Sequence, residues 1–165
     1  VKPYKAGHLV YWVPQKEDMD RNARFYVERL GFRPTDNSTN MRFMRAGGSH
    51  DHHTLLMQFE PGYLGFQHVA YEYKDFDEVM MLGCHMETQG WKTNTGPLRH
   101  NISSTCSWYI WNPAGGVCEA YSDMDYVDDD WVVGNYDPKD PGFYGVSWVV
   151  RPGKRRARPA ERIDD

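Results

Sequence analysis

Two stretches of similar character decide the fold: HLVYWV at residues 8–13 and QHVAYEY at residues 67–73. Both are rich in β-branched and aromatic residues, which favours a β-strand. A histidine stands at or near the start of each, and His8 and His68 lie 60 residues apart. The two stretches are therefore predicted to be the first strands of two copies of one structural unit.

The same series of elements follows each strand. Helices are predicted over residues 18–30 and 75–89, and each ends at a glycine, Gly31 or Gly90. Three short extended segments come after each helix: 32–35, 41–45 and 54–59 in the first copy, and 91–94, 105–111 and 116–121 in the second. Unless this layout is a coincidence of short aromatic strands, the chain has an α+β fold. Two tandem βαβββ modules then form an open, cupped mixed β-sheet.

The domain boundaries follow from this repeat. The modules are expected over about residues 6–60 and 66–122, within one domain of residues 1–125. Residues 126–165 are predicted to be an irregular C-terminal extension, because proline, glycine and aspartate crowd residues 135–145. The last stretch, RPGKRRARPAERIDD at 151–165, is expected to be flexible.

Composition excludes several functions. The net charge of -4 provides no overall field to recruit nucleic acid or an anionic membrane, and the basic residues of 151–165 are typical of a solvated terminus. No run approaches the ~18 apolar residues of a membrane helix. The three cysteines form no CxxC pair, which favours reduced thiols and a cytoplasmic protein. We expect no nucleic-acid partner and no membrane partner.

One carboxylate stands out beside the paired histidines. Glu119 lies between Cys118 and Ala120 in an otherwise apolar predicted strand, where a charge is costly unless it is paired or bound to a metal. Each histidine alone could be an ordinary core or surface residue. Two imidazoles and one carboxylate with open positions, however, are the pattern of non-haem Fe(II) oxygen chemistry. His8, His68 and Glu119 are therefore predicted to form a metal site inside the cupped sheet.

A glyoxalase-type site on this architecture would need a fourth ligand, a carboxylate from the closing strand of the first module. The 60-residue offset places Phe59 opposite Glu119 in the repeat. Glu60 is one residue away, and alternation along a strand would turn it to the other face. Three protein ligands are predicted.

The stretch HNISSTCSWYIWNPAGGVCE at residues 100–119 carries a longer motif. Its spaced residues are His100, Tyr109, Asn112, Pro113, Gly115 and Glu119. In this spacing the chain resembles the type I extradiol catechol dioxygenases of the vicinal oxygen chelate superfamily, over roughly residues 6–125. Leu98 and Trp108 depart from the residues usual at their positions, which bears on the shape of the pocket more than on its chemistry.

The resemblance implies a role for each matching residue. His8, His68 and Glu119 would bind Fe(II), with Mn(II) acceptable to the same ligands. His53 would be the acid–base histidine on the oxygen side, and His100 and Tyr109 would contact the catechol hydroxyls. The implied partners are a catechol and O2, and the implied reaction cleaves the ring beside the two hydroxyls. His50 and His52 receive no role, and His85 is expected on the surface.

The ring substituent is harder to predict. Arg99 or Arg45 could clamp a carboxylate. Alternatively, four aromatic residues could line an apolar pocket for a substituted or bicyclic catechol: Tyr11, Trp12, Trp108 and Tyr144. Aromatic residues of the extension are expected to cover the mouth of the site: Tyr126, Trp131, Tyr136 and Phe143.

Two other classes stay open: another metal enzyme of this architecture, such as a glyoxalase or an epimerase, and a metal-free binding protein. We expect a homo-oligomer. Many members of the family are twice as long, so the chain corresponds either to a natural single-domain enzyme or to the catalytic half of a longer one.

Overall fold

A computed structural model describes residues 1–137 of the chain. The first module comprises β1 Lys5–Val13, α1 Lys16–Leu30, β2 Arg33–Ser38, β3 Met41–Arg45 and β4 Leu55–Phe59. The second comprises β5 Gly65–Glu72, α2 Phe76–Thr88, β6 Thr93–Arg99, β7 Cys106–Trp111 and β8 Val117–Ser122, and β9 Gly134–Tyr136 follows. The predicted α+β fold with two βαβββ modules is confirmed.

All the strands of the described residues form one mixed sheet, in the order β6-β7-β8-β5-β1-β4-β3-β2-β9. The modules meet where β1 pairs antiparallel with β5. Leu9 faces Val69 at the centre of this pair, with His8 opposite Ala70 on one side and Val10 opposite His68 on the other. This register is a local twofold symmetry, and it makes His8 and His68 equivalent positions on one face of the sheet.

The two faces of the sheet have different contents because strand side chains alternate. On one face α1 packs its fully buried Met19 against residues such as Leu55, and α2 packs Val79 against Trp108. Burying an apolar side chain of this size contributes ~1.5–3 kcal/mol. The opposite face carries no helix among residues 1–137. It curves around a cavity that is lined by residues of β1 and of each strand from β3 to β8.

Trp108 lies on the helical face, not in a substrate pocket. Its indole Nε1 donates to Thr93 Oγ1 at 2.9 Å, and the ring covers Gly83 of α2. The expectation that Trp108 binds substrate is therefore corrected. The physical reason is strand alternation, because Tyr109 faces the cavity and its neighbour must face away.

Two segments differ from their predicted extent. β6 was expected over residues 91–94 but runs to Arg99, and it contains Pro97. Proline is tolerated there because β6 is an edge strand, and its pairing with β7 is irregular on both sides of Thr95. The C-terminal extension supplies β9, which pairs parallel with β2 and buries Tyr136 against Val10 and Leu56. Three residues are too few for a strand pattern to show in sequence.

Among the helices of the described part, none is both long enough and apolar enough to cross a bilayer.

Replacing Gly83 by alanine is expected to destabilise the protein by about 1–3 kcal/mol. A Gly→Ala change inside a helix ordinarily stabilises by ~1 kcal/mol. Here the new Cβ would lie 2.1 Å from a ring carbon of Trp108, and a packed indole cannot move aside as a flexible chain end can. Urea denaturation measures the change in the free energy of unfolding.

The neighbouring exposed Cys84→Ala is the matched control, with a change below ~0.5 kcal/mol. Adding Trp108→Leu should recover part of the loss in the double variant. A stabilised Gly83→Ala protein would contradict the packing described for α2.

Candidate active site

Three side chains from three neighbouring strands meet on the concave face. His8 on β1 and His68 on β5 each place Nε2 3.0 Å from Oε2 of Glu119 on β8. Their potential ligand atoms lie within 4.8 Å of one another, and all three residues are buried. The register explains the convergence, because Ala70 lies opposite His8 on one side and opposite Glu119 on the other.

Charge and burial act against each other at this cluster. Burial alone would raise the pKa of Glu119, but His8 and His68 outweigh it and hold the pKa well below its usual range. Burial lowers the pKa of His68, although the hydrogen bond to Glu119 opposes this. Glu119 is therefore an anion and His68 a neutral imidazole, the protonation states in which both bind metals.

Two polar atoms of the cluster lack hydrogen-bond partners. Glu119 Oε1 and His8 Nδ1 are both buried and make no hydrogen bond within the structure of residues 1–137, although His100 Nε2 lies 4.0 Å from Oε1. A buried carboxylate oxygen without a donor is costly. A cation bound between the three side chains would remove that cost, so the donor set and its unsatisfied oxygen fit a divalent metal.

His53 lies beside this cluster, just before β4. Its ring centroid is 4.3 Å from that of His8 and 5.2 Å from that of Phe43. Burial, and then the nearby His8 and His52, hold the pKa of His53 well below its usual value. His53 is a neutral imidazole that can accept a proton inside the cavity.

His100 and Tyr109 form the opposite side of the cluster. Their side chains share a hydrogen bond of 2.8 Å between Nε2 and Oη, and Tyr109 lies opposite Glu119 in the β7–β8 pair. Burial, and then the Glu119 charge, raise the pKa of Tyr109 well above its usual value. The phenol keeps its proton and can donate it in a hydrogen bond.

All six of these residues line one cavity of about 270 Å³. The remaining wall is partly apolar and partly neutral polar: Val10, Met41, Phe43, Leu56, Leu98 and Ile102, with Gln58, Gln67, Asn94, Thr95, Ser103 and Thr105. Glu119 is its only carboxylate within residues 1–137, and the same described lining contains neither lysine nor arginine.

The position equivalent to Glu119 in the first module is Leu56. Val10 and Ala70 are symmetry equivalents, and β4 pairs Leu56 with Val10 as β8 pairs Glu119 with Ala70. The predicted equivalence to Phe59 was wrong, because the offset between the modules grows from 60 residues at β1 to 63 at β4.

The prediction of three protein ligands stays a prediction. An apolar side chain occupies the place of a fourth ligand, and His8, His68 and Glu119 are the one cluster of metal-binding geometry in the described chain. The same symmetry pairs Tyr109 with Phe43, which lies opposite Leu56 in the β3–β4 pair.

Other predicted pocket residues lie elsewhere. Arg99 donates to the backbone carbonyl of Ser104 and to Asp123 Oδ2, so the expected carboxylate clamp is corrected. Trp12 packs on Tyr63 and is outside the cavity lining, which corrects its expected role. Tyr144 lies outside the described residues, as does Phe143.

Other residues considered in the sequence analysis also lie outside the cavity lining. Arg45 contacts Asp129 at 2.9 Å, which leaves no carboxylate clamp there either. His85 is exposed on α2, as expected. From the extension, Tyr126 stacks on His50 and Trp131 lies against His52.

His52 and Asp36 were missed by sequence reasoning. His52 is fully buried, with Nε2 2.9 Å from Asp36 Oδ2 and Nδ1 3.1 Å from Nδ1 of His53. Nothing in the sequence links residue 36 of the polar strand β2 with residue 52, because the strands β2, β3 and β4 bring them together only in the fold.

Comparison with known proteins gives the following relatives. The sequence model of the Glyoxalase/Bleomycin resistance protein/Dioxygenase superfamily matches residues 5–108. Metapyrocatechase 2 from Cupriavidus necator is 29% identical over 143 residues, covering 85% of this chain and 43% of the relative.

Among solved structures, the Mn(II)-bound glyoxalase from Novosphingobium aromaticivorans superposes with a TM-score of 0.76 and 26% identity, over 96% of this chain and 51% of that one. The 2,3-dioxygenase LapB from Pseudomonas sp. KL28 superposes with a TM-score of 0.74 over 82% of this chain and 48% of that one, and its 18% identity shows a shared fold alone. The chain thus spans about half the length of these relatives.

Proposed function

This chain belongs to the Glyoxalase/Bleomycin resistance protein/Dioxygenase superfamily, and we propose that within it the chain forms the active site of an extradiol ring-cleaving dioxygenase. The reaction inserts both atoms of O2 into a catechol-type substrate at the C–C bond beside the vicinal hydroxyls, giving a muconic semialdehyde-type product. The observation that carries the proposal is a cavity with three potential ligands, an apolar residue in the fourth position, and three proton-handling side chains around them.

His8, His68 and Glu119 would hold the metal, and we propose Fe(II), although the same ligands accept Mn(II). The unpaired Oε1 of Glu119 supports a bound cation. Fe(II) held by these residues would supply the redox chemistry that ring cleavage with O2 requires.

The protein's own side chains divide the proton chemistry. Tyr109, which keeps its proton, donates a hydrogen bond to a substrate oxygen, and His100 orients the phenol through the 2.8 Å bond. His53, a neutral imidazole on the other side of the cluster, accepts a substrate proton and later returns it. A positioned acid–base group of this kind contributes about 10²–10⁴ in rate.

We further propose that the substrate is an uncharged, single-ring catechol. The lining contributed by residues 1–137 has no cation to pair with a carboxylate substituent, and Arg99 and Arg45 are engaged elsewhere. The cavity volume of about 270 Å³ lies just below the ~300–1,000 Å³ typical of ligand pockets, which favours a small substrate.

A glyoxalase-type isomerase is the second candidate, because a Mn(II)-bound glyoxalase shares 26% identity and a TM-score of 0.76. Leu56 argues against it, since that chemistry was expected to need a carboxylate at this position. A metal-free binding protein is disfavoured by a buried carboxylate placed between two histidines.

Anaerobic reconstitution with Fe(II), followed by catechol and air, is expected to give a yellow product with one O2 consumed per catechol. Tyr109→Phe should bind metal normally and reduce kcat, because it lacks the phenolic donor. Absorbance and an oxygen electrode follow the reaction. Metal-loaded protein that consumes no O2 but isomerises the hemithioacetal of methylglyoxal and glutathione would replace the dioxygenase with the glyoxalase.

Metal binding is expected at one ion per chain, with loss in His68→Ala and Glu119→Gln. Removing a residue that supports a ligand costs ~10–100-fold in affinity, and removing a ligand itself should cost more. Isothermal titration with Mn(II), which avoids oxidation, measures the affinity. The exposed His85→Ala is the matched control and should bind as the unchanged protein does. Equal affinity in all three variants would refute the ligand set.

Carboxylated catechols are expected to have kcat/KM at least about tenfold below that of catechol, because burying an unpaired carboxylate costs more than ~1.4 kcal/mol. Asn94 lines the exposed rim of the cavity, so Asn94→Lys should narrow this gap by supplying a cation. Asn94→Met, of similar length and without charge, is the control. A preference for 3,4-dihydroxybenzoate in the unchanged protein would contradict the uncharged-substrate proposal while leaving ring cleavage intact.

A further inference from the structure

A chain of hydrogen bonds runs from Asp36 to the cavity. Asp36 Oδ2 contacts His52 Nε2 at 2.9 Å, and His52 Nδ1 contacts His53 Nδ1 at 3.1 Å. All three residues are buried, and His52 has no exposed surface. Of the three, only His53 lines the cavity, so Asp36 and His52 can influence its contents only through His53.

The carboxylate of Asp36 sets the direction of these hydrogen bonds. The amide N–H of Gly134 donates to Asp36 Oδ1 at 2.6 Å, and a carboxylate can only accept. His52 must then carry its proton on Nε2 to donate to Asp36. When His52 is neutral it has one donor and one acceptor nitrogen, so its Nδ1 accepts a bond from Nδ1–H of His53. The lone pair of His53 is left on Nε2.

We propose that Asp36 and His52 are positioning residues that hold His53 in its Nδ1–H tautomer, so that Nε2 serves the cavity as a proton acceptor. The tautomer follows from these contacts when His52 is neutral and Asp36 is ionised. What His53 takes the proton from rests on the proposed function, in which it is a catechol hydroxyl.

The C-terminal segment holds the first member of this chain in place. Besides the Gly134 bond, Trp131 Nε1 donates to the carbonyl of Thr35 at 2.8 Å, and its ring lies 5.6 Å from that of His52. There is no spare space, since a Cβ added to Gly134 would lie 2.7 Å from Asp36 Oδ1. Residues beyond the second module therefore set the orientation of a histidine in the first.

The tautomer can be measured without metal or substrate. Long-range ¹H–¹⁵N correlation spectra of ¹⁵N-histidine protein at about pH 8, above the ordinary histidine pKa of ~6.5, distinguish the protonated nitrogen of each ring. The signals of His53 are assigned by their loss in His53→Gln. The expected result is Nε2–H for His52 and Nδ1–H for His53. An Nε2–H tautomer of His53, or a doubly protonated His52, would overturn the proposal.

Asp36→Asn is expected to invert both tautomers. Because Gly134 N–H still needs an acceptor at Oδ1, the new amide must place its NH2 group toward His52. His52 Nε2 then accepts, its Nδ1 donates, and His53 carries its proton on Nε2. Unchanged tautomers in a folded Asp36→Asn protein would overturn the proposal. Asp20→Asn, the same change at a partly exposed ion pair with Arg42, should leave both tautomers as they were.

A second readout separates positioning from mere structural support. In Fe(II)-loaded protein Asp36→Asn should lower kcat by about 10²–10⁴, with little change in KM or metal content. The reason is that Nε2 of His53 then carries a proton and can no longer accept one from the substrate. If Asp36→Asn does not fold, His52→Asn should break the link to Asp36 and give a mixture of His53 tautomers. A single unchanged tautomer there would contradict the proposal. If the protein shows no ring cleavage at all, the metal-free spectra still decide the tautomer.

Discussion

The antiparallel pairing of β1 with β5 is the contact on which the rest of the molecule depends. Each βαβββ module is a curved half-sheet with a helix on its outer face, and neither contains a complete set of ligands. Placing Leu9 opposite Val69 joins the halves about a local twofold axis and sets His8 and His68 side by side. A slip of one residue would turn every strand side chain of one module to the other face, and the site would no longer exist.

The price of this arrangement is a buried anion. Glu119 is 1% exposed, and in the metal-free protein its charge is stabilised by hydrogen bonds with His8 and His68, although burial lowers the pKa of His68. Burying this charge lowers the stability of the metal-free protein, and a bound divalent cation would offset that cost. The helical face, with Met19 and Val79 fully buried, supplies the stability that the concave face does not.

The repeat and the three residues that converge in the cavity could be predicted because they depend on local patterns. Strand composition and the 60-residue spacing located His8 and His68, and a lone carboxylate in an apolar strand located Glu119. The motif of residues 100–119 placed His100 and Tyr109, which the fold brings within hydrogen-bonding distance.

The remainder depended on register and long-range contact. A constant offset of 60 residues between the modules makes Phe59 the equivalent of Glu119, whereas the pairing of β4 with β1 makes Leu56 the equivalent. Trp108 was assigned to the pocket by residue type, and alternation places it under α2. The link from Asp36 through His52 spans two intervening strands, so no spacing in the sequence could express it.

The equivalence of Glu119 with Leu56 and of Tyr109 with Phe43 has a consequence for how a molecule would lie in the cavity. The two modules place matching walls around the cavity, of which the β7–β8 wall presents Tyr109 and Glu119, whereas the β3–β4 wall presents Phe43 and Leu56 at the equivalent positions. A flat ligand with oxygens along one edge and hydrocarbon along the other can form hydrogen bonds with the β7–β8 wall and apolar contacts with the β3–β4 wall. The backbone of the cavity is symmetric but its side chains are not, so such a ligand has one favourable orientation.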